Sequence, residues 1–163
     1  MMPLYGFDTS ILIKMLIKRT HSKNLNFINL VQSLDKELAL ADGSEHSFYS
    51  QFNKIDQLNN VVLISAHSLA IACGAIKVMN DTSVEIKRMY VRPEFRNKGL
   101  ASKVLAELEK WVKELGYKRC VLETGKRQVG ATELYLKNGY KIIPNYGQYS
   151  GIENSVCFEK MLD

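Results

Sequence analysis

The feature that most constrains this chain is the order of patterns in residues 85–101. An alternating apolar run breaks at Pro93, a basic turn containing Gly99 follows, and an amphipathic helical pattern begins directly after it. Backbone N–H groups at a helix start lack partners within the helix, and the helix dipole places partial positive charge beside them. Arg96 and Lys98 add charge there, and a glycine lets the backbone approach a ligand closely. This order predicts a site for a phosphate-bearing ligand.

The apolar periodicity around this turn predicts alternating strands and helices. We expect strands at 15–21, 61–65, 69–78, 84–91, 119–123, 140–143 and 155–161, and helices at 25–40, 47–56, 98–115 and 130–138. The helix at 98–115 should bury a stripe of Leu100, Val104, Leu108, Trp111 and Leu115. This order predicts an α/β fold with a mixed sheet of six to seven strands and about four helices. Residues 15–163 should form a single domain, and residues 1–14 an N-terminal extension.

Composition excludes several classes of protein. The 163 residues are 46% hydrophobic and 24% charged, as in globular domains, and no apolar run reaches the length of a membrane span. The net charge of +5 is spread along the chain rather than clustered with aromatic residues, so we expect an anionic small ligand and no nucleic acid.

The cysteine and histidine residues give no sign of a metal site or a disulfide scaffold. The three cysteines, Cys73, Cys120 and Cys157, lie far apart in strand-like segments, and the three histidines are scattered. We therefore expect no metal, buried thiols and a reducing, cytoplasmic location without a membrane partner.

Three short segments carry a family resemblance. They are Arg-Asn-Lys-Gly-Leu-Ala at 96–101, Met-Tyr-Val-Arg-Pro-Glu-Phe-Arg at 89–96 and Ala-Thr-Glu-Leu-Tyr-Leu-Lys-Asn-Gly-Tyr at 131–140. From about Met15 to the C-terminus, the chain resembles the GCN5-related N-acetyltransferases, the GNAT superfamily. The first segment matches the superfamily's pyrophosphate motif, Gln/Arg-x-x-Gly-x-Gly/Ala, with Ala101 where glycine is also common.

The resemblance implies acetyl-coenzyme A as the acyl donor and a sheet that is splayed at its centre. The pantetheine arm should enter between the strands at 84–91 and 119–123 and bond to the backbone of Met89 and Val91, with Tyr90 between them. The diphosphate should meet the N–H groups of the turn, and Asn138 should contact the coenzyme. The turn consists of Arg96, Asn97, Lys98, Gly99, Leu100 and Ala101. Members of the family often pair, so a homodimer is possible.

The resemblance also implies catalytic roles. Tyr135 stands where the family often has a tyrosine that protonates the leaving thiolate, and a phenol with a pKa near ~10 can do so. Glu85 stands where histone-type members have a basic glutamate, and strand alternation should place it on one face with Lys87, Met89 and Val91. Glu85 could instead pair with Lys87 or Arg88, and a water chain could act as the base. The N–H of Val91 or its neighbour should stabilise the oxyanion.

The acceptor should be a primary amine of a small molecule or a peptide. Candidate acceptor-binding residues come from the early helices and a late loop: Asp42, His46, Tyr49, Tyr146, Tyr149 and Glu153. The acidic members of this set should attract a cationic amine. Two other functions are compatible with the sequence: a non-catalytic acyl-CoA sensor with the same fold, and a basic nucleic-acid-binding module, which no recognition motif supports.

Overall fold

A computed structural model describes residues 14–163, so the predicted extension lies outside the described residues except for Lys14. The strands are β1 (Met15–Thr20), β2 (Asn60–Ala66), β3 (Leu69–Val78), β4 (Ser83–Val91), β5 (Arg119–Gly125), β6 (Lys141–Ile143) and β7 (Ser155–Met161). The helices are α1 (Leu25–Asp42), α2 (His46–Ser50), α3 (Leu100–Glu114) and α4 (Val129–Lys137). The predicted α/β fold is confirmed, although α2 ends six residues before the predicted position 56.

The strands form one sheet that opens at its centre. Their order is β1-β2-β3-β4-β5-β7-β6. All neighbours are antiparallel except β4 and β5, which are parallel and pair only where Ser83–Glu85 faces Arg119–Val121. Beyond that point β4 continues to Val91 and β5 to Gly125 without pairing to each other. The backbone groups on the facing edges of these two ends are therefore free to bond to something else.

Helices pack on both faces of the sheet. On one face, Phe27, Leu30 and Val31 of α1 pack against Cys73 and other residues of the central strands. On the opposite face, α3 and α4 share a core with β4, β5 and β7. Asn24 fixes the start of α1, because its side-chain oxygen accepts hydrogen bonds from the N–H groups two and three residues later, at 2.9 and 3.2 Å.

The buried stripe of α3 is rotated from the predicted one. Leu100, Val104 and Leu108 are buried as expected, but the remaining positions are filled by Leu105 and Val112. The prediction for Leu115 was wrong: α3 ends at Glu114, and Leu115 is 47% exposed. Trp111 lies at the edge of the core, where the guanidinium of Arg19 stacks 4.9 Å from its ring centre.

A β-bulge in β4 reverses the predicted alternation of its side chains. Arg88 has a φ of 58°, and the register with β3 shifts between Cys73 and Ala75. Met89 consequently packs in the α3 core, whereas Arg88 pairs with Asp35 of α1 on the opposite face. The prediction that Glu85 and Lys87 share a face with Met89 and Val91 was wrong, because the extra residue of a bulge moves every later side chain to the other face.

Gly74 is required opposite the bulge. A methyl group there would lie 2.5 Å from Sδ of Met89 and 2.8 Å from methyl carbons of Val104 and Leu108. We expect Gly74→Ala to lower the free energy of unfolding by about 1–3 kcal/mol through overpacking, measured by urea denaturation. Gly130 in α4 is the matched control, since a methyl group there meets no atom within 4 Å. Gly130→Ala should be neutral or stabilising, and equal effects of the two substitutions would contradict this account.

Candidate active site

The opening between β4 and β5 continues into a cleft of about 620 Å³. The turn before α3 lies at one end of the cleft, where Glu37 of α1 reaches it, and Asp42 of α1 and Tyr49 of α2 line the other end. Because β4 and β5 are parallel, the cleft lies beyond the carboxyl ends of their paired segments, where α/β sheets commonly bind ligands.

The turn presents a helix start to the cleft. Asn97 and Gly99 have φ values of 63° and 77°, and α3 begins directly afterwards at Leu100. Gly99 occupies the cap position, so no cap side chain bonds to the N–H groups of the first helical turn. Asn97, Gly99, Leu100 and Ala101 all line the cleft, as the predicted phosphate site requires. Sequence reasoning missed Ser102, which lines the cleft beside them.

The two basic side chains of the turn are arranged differently from each other. Arg96 donates from Nε to the carbonyl of Val91 at 2.8 Å and from Nη2 to both carboxylate oxygens of Glu37 at 2.8 Å. It therefore connects the turn to α1 and stacks on the ring of Tyr90. Lys98 is exposed outside the cleft lining, with its Nζ 5.5 Å from the ring centre of Phe95. The main-chain N–H groups and Arg96, rather than Lys98, give this end of the cleft its polarity.

The free edge of β4 faces the cleft with its backbone. The N–H of Arg92 donates to the carbonyl of Ile71 at 2.9 Å, on the side of β3. Successive residues of a strand direct their backbone groups to opposite sides, so those of Val91 point away from β3 and into the opening. Met89 lies two residues earlier, after the bulge, and has the same orientation. The backbone groups of Met89 and Val91 thus point in the direction that the predicted coenzyme contacts need. The contacts themselves stay a prediction.

Tyr135 on α4 is buried in the wall of the cleft. Its ring packs 5.7 Å from the ring centres of Tyr140 and Phe158. Burial raises the pKa of Tyr135 above its usual value, and the charge of Glu123 raises it further. The phenol is therefore protonated at neutral pH.

Asn138 follows α4 and fixes that helix to the start of α3. Its Nδ2 donates to the hydroxyl of Ser102 at 3.0 Å and to the carbonyl of Leu134 at 2.8 Å. Asn138 itself is not among the residues that line the cleft, and its predicted contact with the coenzyme stays a prediction.

Glu85 lines the cleft but has partners on both oxygens. The hydroxyl of Tyr146 donates to one oxygen at 2.5 Å, and Nζ of Lys87 lies 3.4 Å from the other. Of the two predicted partners, the structure thus selects Lys87, because the bulge turns Arg88 towards Asp35. Burial and the charge of Glu85 raise the pKa of Tyr146, so its phenol remains a donor.

Glu123 is a second residue of the cleft that sequence reasoning missed. It lies on β5 beyond the segment paired with β4, and it lines the cleft. Burial raises its pKa to about 7, with the charges of Glu85 and Asp42 adding to that effect; the hydrogen bond from Ser155 and the charge of Lys87 oppose it. A carboxyl group that titrates near neutrality inside a cleft is suited to accepting a proton. The signal in the sequence was a single glutamate directly after the apolar run at 120–122.

The predicted acceptor residues divide into three groups. Asp42, Tyr49 and Tyr149 are buried and line the cleft. His46 and Tyr146 lie just outside the lining. His46 has its Nδ1 3.8 Å from the Asp42 carboxylate, and burial raises the pKa of Asp42 while His46 opposes that shift.

The structure does not bring Glu153 to the cleft with the other candidates. Its side chain is exposed and lies outside the cleft lining. The amide of Asn145 donates to the carbonyls of Ile152 and Ser155 at 2.9 and 3.0 Å, which folds the loop so that Tyr149 is buried and Glu153 faces solvent.

Residues 14–163 contain no group of three His, Cys, Asp or Glu side chains arranged to hold a metal ion. In the same range, no helix has the length and apolar character needed to cross a membrane.

Residues 26–140, which contain the turn, β5 and α4, match the model of the acetyltransferase (GNAT) family. The chain belongs to this family. It is therefore an acyltransferase of the N-acetyltransferase type, and the predicted family and fold are confirmed.

Relatives of this GNAT chain share most of its length. A protein from Azospirillum brasilense named IAA acetyltransferase is 26% identical over 137 residues, covering 83% of this chain and 90% of the relative. A structure from Klebsiella pneumoniae, named as a candidate acyl-CoA N-acyltransferase, has a TM-score of 0.77 at 28% identity and covers 91% of this chain and 98% of its own. The PaiA N-acetyltransferase of Thermoplasma acidophilum, solved with coenzyme A, shares the fold at a TM-score of 0.68 and 19% identity, covering 91% and 99%.

The raised pKa of Glu123 makes the stability of this GNAT domain pH-dependent. A carboxyl group whose pKa is higher in the folded state binds its proton more tightly there, so stability falls as pH rises from about 4.5 to about 7. We expect Glu123→Gln to unfold at a higher temperature than the wild type at pH 8, with the difference shrinking at pH 5. Thermal unfolding at both pH values measures this, and a difference independent of pH would contradict it.

Proposed function

We propose that this chain transfers the acetyl group of acetyl-CoA directly to a primary amine of a small molecule or a peptide. One observation carries the proposal: a single cleft contains the helix start at Gly99, the free backbone edge of β4, the phenol of Tyr135 and the carboxyl of Glu123. These are the parts that binding a phosphate-bearing thioester and moving protons around it would require.

The donor should bind along the turn and the strand edge. The diphosphate would accept hydrogen bonds from the N–H groups of the turn at 96–101, where α3 begins. The pantetheine arm would then lie against the edge of β4 as an added strand would. Since Arg96 already bonds to the carbonyl of Val91, the N–H of Val91 remains for the thioester oxygen and would stabilise the oxyanion.

The reaction needs a neutral amine and a protonated leaving group. An alkylammonium has a pKa near ~10, so one proton must leave before its nitrogen can attack the carbonyl carbon. The new C–N bond forms a tetrahedral intermediate, and the C–S bond then breaks while Tyr135 donates its proton to sulfur. The nitrogen releases its second proton at this step, and the phenol is restored through solvent. The products are the amide, the free thiol and one proton.

We propose Glu123 as the group that accepts the first proton. Its pKa of about 7 leaves a substantial fraction of the carboxyl ionised at neutral pH, and its hydrogen-bond donor among residues 14–163 is the hydroxyl of Ser155. Glu85 is held between Tyr146 and Lys87, which stabilise its charge and occupy its oxygens. The earlier prediction of Glu85 or a water chain as the base stays open until the variants are compared.

The other end of the cleft suits a cationic amine. The carboxylates of Asp42 and Glu85 both lie within electrostatic range of Glu123. Tyr49 and Tyr149 add aromatic surface there, against which an alkyl chain or an ammonium can pack.

Replacement of Tyr135 tests the proposed reaction. We expect Tyr135→Phe to lower kcat by about 10²–10⁴-fold, because the thiolate would leave without its proton donor. Thiol release from acetyl-CoA is measured over a panel of amines, and calorimetry should show unchanged binding of coenzyme A. Tyr117→Phe, outside the cleft lining, is the matched control. A wild-type rate for Tyr135→Phe would contradict its role, and a wild-type protein that binds acetyl-CoA but acetylates no amine would favour the sensor.

Replacement of Asp42 tests the acceptor. We expect Asp42→Asn to raise the KM of a cationic amine by about 10-fold, as the loss of one charged hydrogen bond implies, and to leave the KM of acetyl-CoA unchanged. Glu153→Gln removes an acidic group outside the cleft lining and should change neither value. Equal effects of the two variants would indicate general attraction by surface charge instead of a contact in the cleft.

A further inference from the structure

The hydroxyl of Ser155 lies between two groups of the cleft. Its Oγ is 3.3 Å from a carboxylate oxygen of Glu123 and 3.0 Å from the phenol oxygen of Tyr49. The phenol in turn accepts a hydrogen bond from Nδ2 of Asn154 at 3.4 Å. Ser155 on β7 and Tyr49 on α2 are 3% and 7% exposed, so the contact between them is buried.

The chemistry of these groups fixes the direction of the hydrogen bonds. An ionised carboxylate only accepts, so the single hydroxyl proton of Ser155 points to Glu123. Tyr49 must then donate to Ser155, and its oxygen is left to accept from the amide of Asn154. All three bonds point towards the carboxylate.

We propose that Ser155 and Tyr49 are positioning residues that hold the ionised carboxylate of Glu123 in the cleft and connect it to α2 at the acceptor end. This inference rests on the proposed function of Glu123 as the proton acceptor. Glu123 itself would touch the amine, whereas Ser155 and Tyr49 act through it.

The hydrogen bonds from Asn154 through Tyr49 and Ser155 to Glu123 do not carry the proton away. Once Glu123 is protonated, transfer along the chain would require Ser155 to donate to Tyr49 and Tyr49 to donate to Asn154. The Nδ2 group of Asn154 has no lone pair to accept that bond. The proton therefore leaves Glu123 on the side of the cleft. The hydrogen bonds through Tyr49 and Ser155 favour the ionised state of Glu123.

Other charged and titratable groups also act on Glu123. Glu85 and Lys87 face it from β4, and Asp42 faces it from α1. The phenols of Tyr135 and Tyr149 and the thiol of Cys157 are close enough for its charge to raise their pKa values. None of these groups donates a hydrogen bond to the carboxylate; among residues 14–163 that donor is Ser155, and its bond opposes the effect of burial on the pKa of Glu123.

The test is the pH dependence of kcat/KM, whose acid limb reports the ionisation of the base in the free enzyme. We expect Ser155→Ala to move this limb upward by about one pH unit, since a hydrogen bond to a charged group is lost. Tyr49→Phe should move it in the same direction by less, because Tyr49 acts through Ser155. The double variant should match Ser155→Ala alone.

Two control variants separate positioning from a structural role. Ser155→Thr keeps the hydroxyl and should restore the wild-type limb. Ser83→Ala removes another buried serine, at the start of β4 outside the cleft lining, and should not move the limb. If Ser155→Ala does not fold, Tyr49→Phe carries the test by itself.

The outcomes distinguish the inference from the proposed function. Suppose that Glu123→Gln is inactive and that the acid limb of kcat/KM does not move in Ser155→Ala or Tyr49→Phe. This result would overturn the positioning role and leave Glu123 as the base. A fully active Glu123→Gln would overturn both. If Ser155→Ala and Tyr49→Phe lower the melting temperature but leave the acid limb of kcat/KM in place, Ser155 and Tyr49 have a structural role only.

Discussion

The unpaired ends of β4 and β5 are the constraint on which the rest of the site depends. Neighbouring strands inside a sheet normally satisfy each other's backbone hydrogen-bonding groups. Where two strands separate, those groups are exposed and need other partners. Here the bulge at Arg88 directs that side chain to Asp35 of α1, and Gly74 gives Met89 room on the opposite face. The edge of β4 ends at Val91, and the turn that follows leads to the start of α3, so the cleft has main-chain groups at the strand edge and again at the helix start. Such an arrangement suits a long ligand with a polar arm and a phosphate group.

Two carboxylates of the cleft, those of Glu85 and Glu123, have different partners. Glu85 has an ammonium and a phenol on its oxygens, so its charge is compensated within the protein. Glu123 lies on the neighbouring strand with one hydroxyl as donor and two other acidic groups nearby, so burial dominates and its pKa rises to about 7. A buried carboxyl group whose pKa is raised towards neutrality is a common arrangement in acid–base catalysis. Burying Glu123 with so few compensating partners lowers the stability of the fold. Proteins often retain such a cost at residues that have a functional role.

The sequence predicted the fold and the position of the turn on the cleft more completely than the residues at the other end of the cleft. Strand periods, the break at Pro93 and the glycine turn are local signals, and they placed the turn at 96–101 on the cleft wall. The bulge at Arg88 was not predictable, because a non-glycine residue with positive φ carries no compositional mark. It reversed the expected face of Met89. Glu123 was missed because its pKa depends on burial and on residues distant in sequence, and Glu153 was misplaced because hydrogen bonds from Asn145 set the direction of its loop.

The acceptor end also depends on long-range contacts that tie its elements together. Arg127, in the loop after β5, donates to the carbonyls of Ala41 and Asp42 at 3.2 and 3.1 Å and so closes the C-terminal end of α1. A cation there also interacts favourably with the helix dipole. The helix that contributes Asp42 is thereby fixed to the strand that carries Glu123. Under the roles proposed for Asp42 and Glu123, a change in either segment would shift both groups together, so substitutions that alter acceptor choice should also alter the protonation of Glu123.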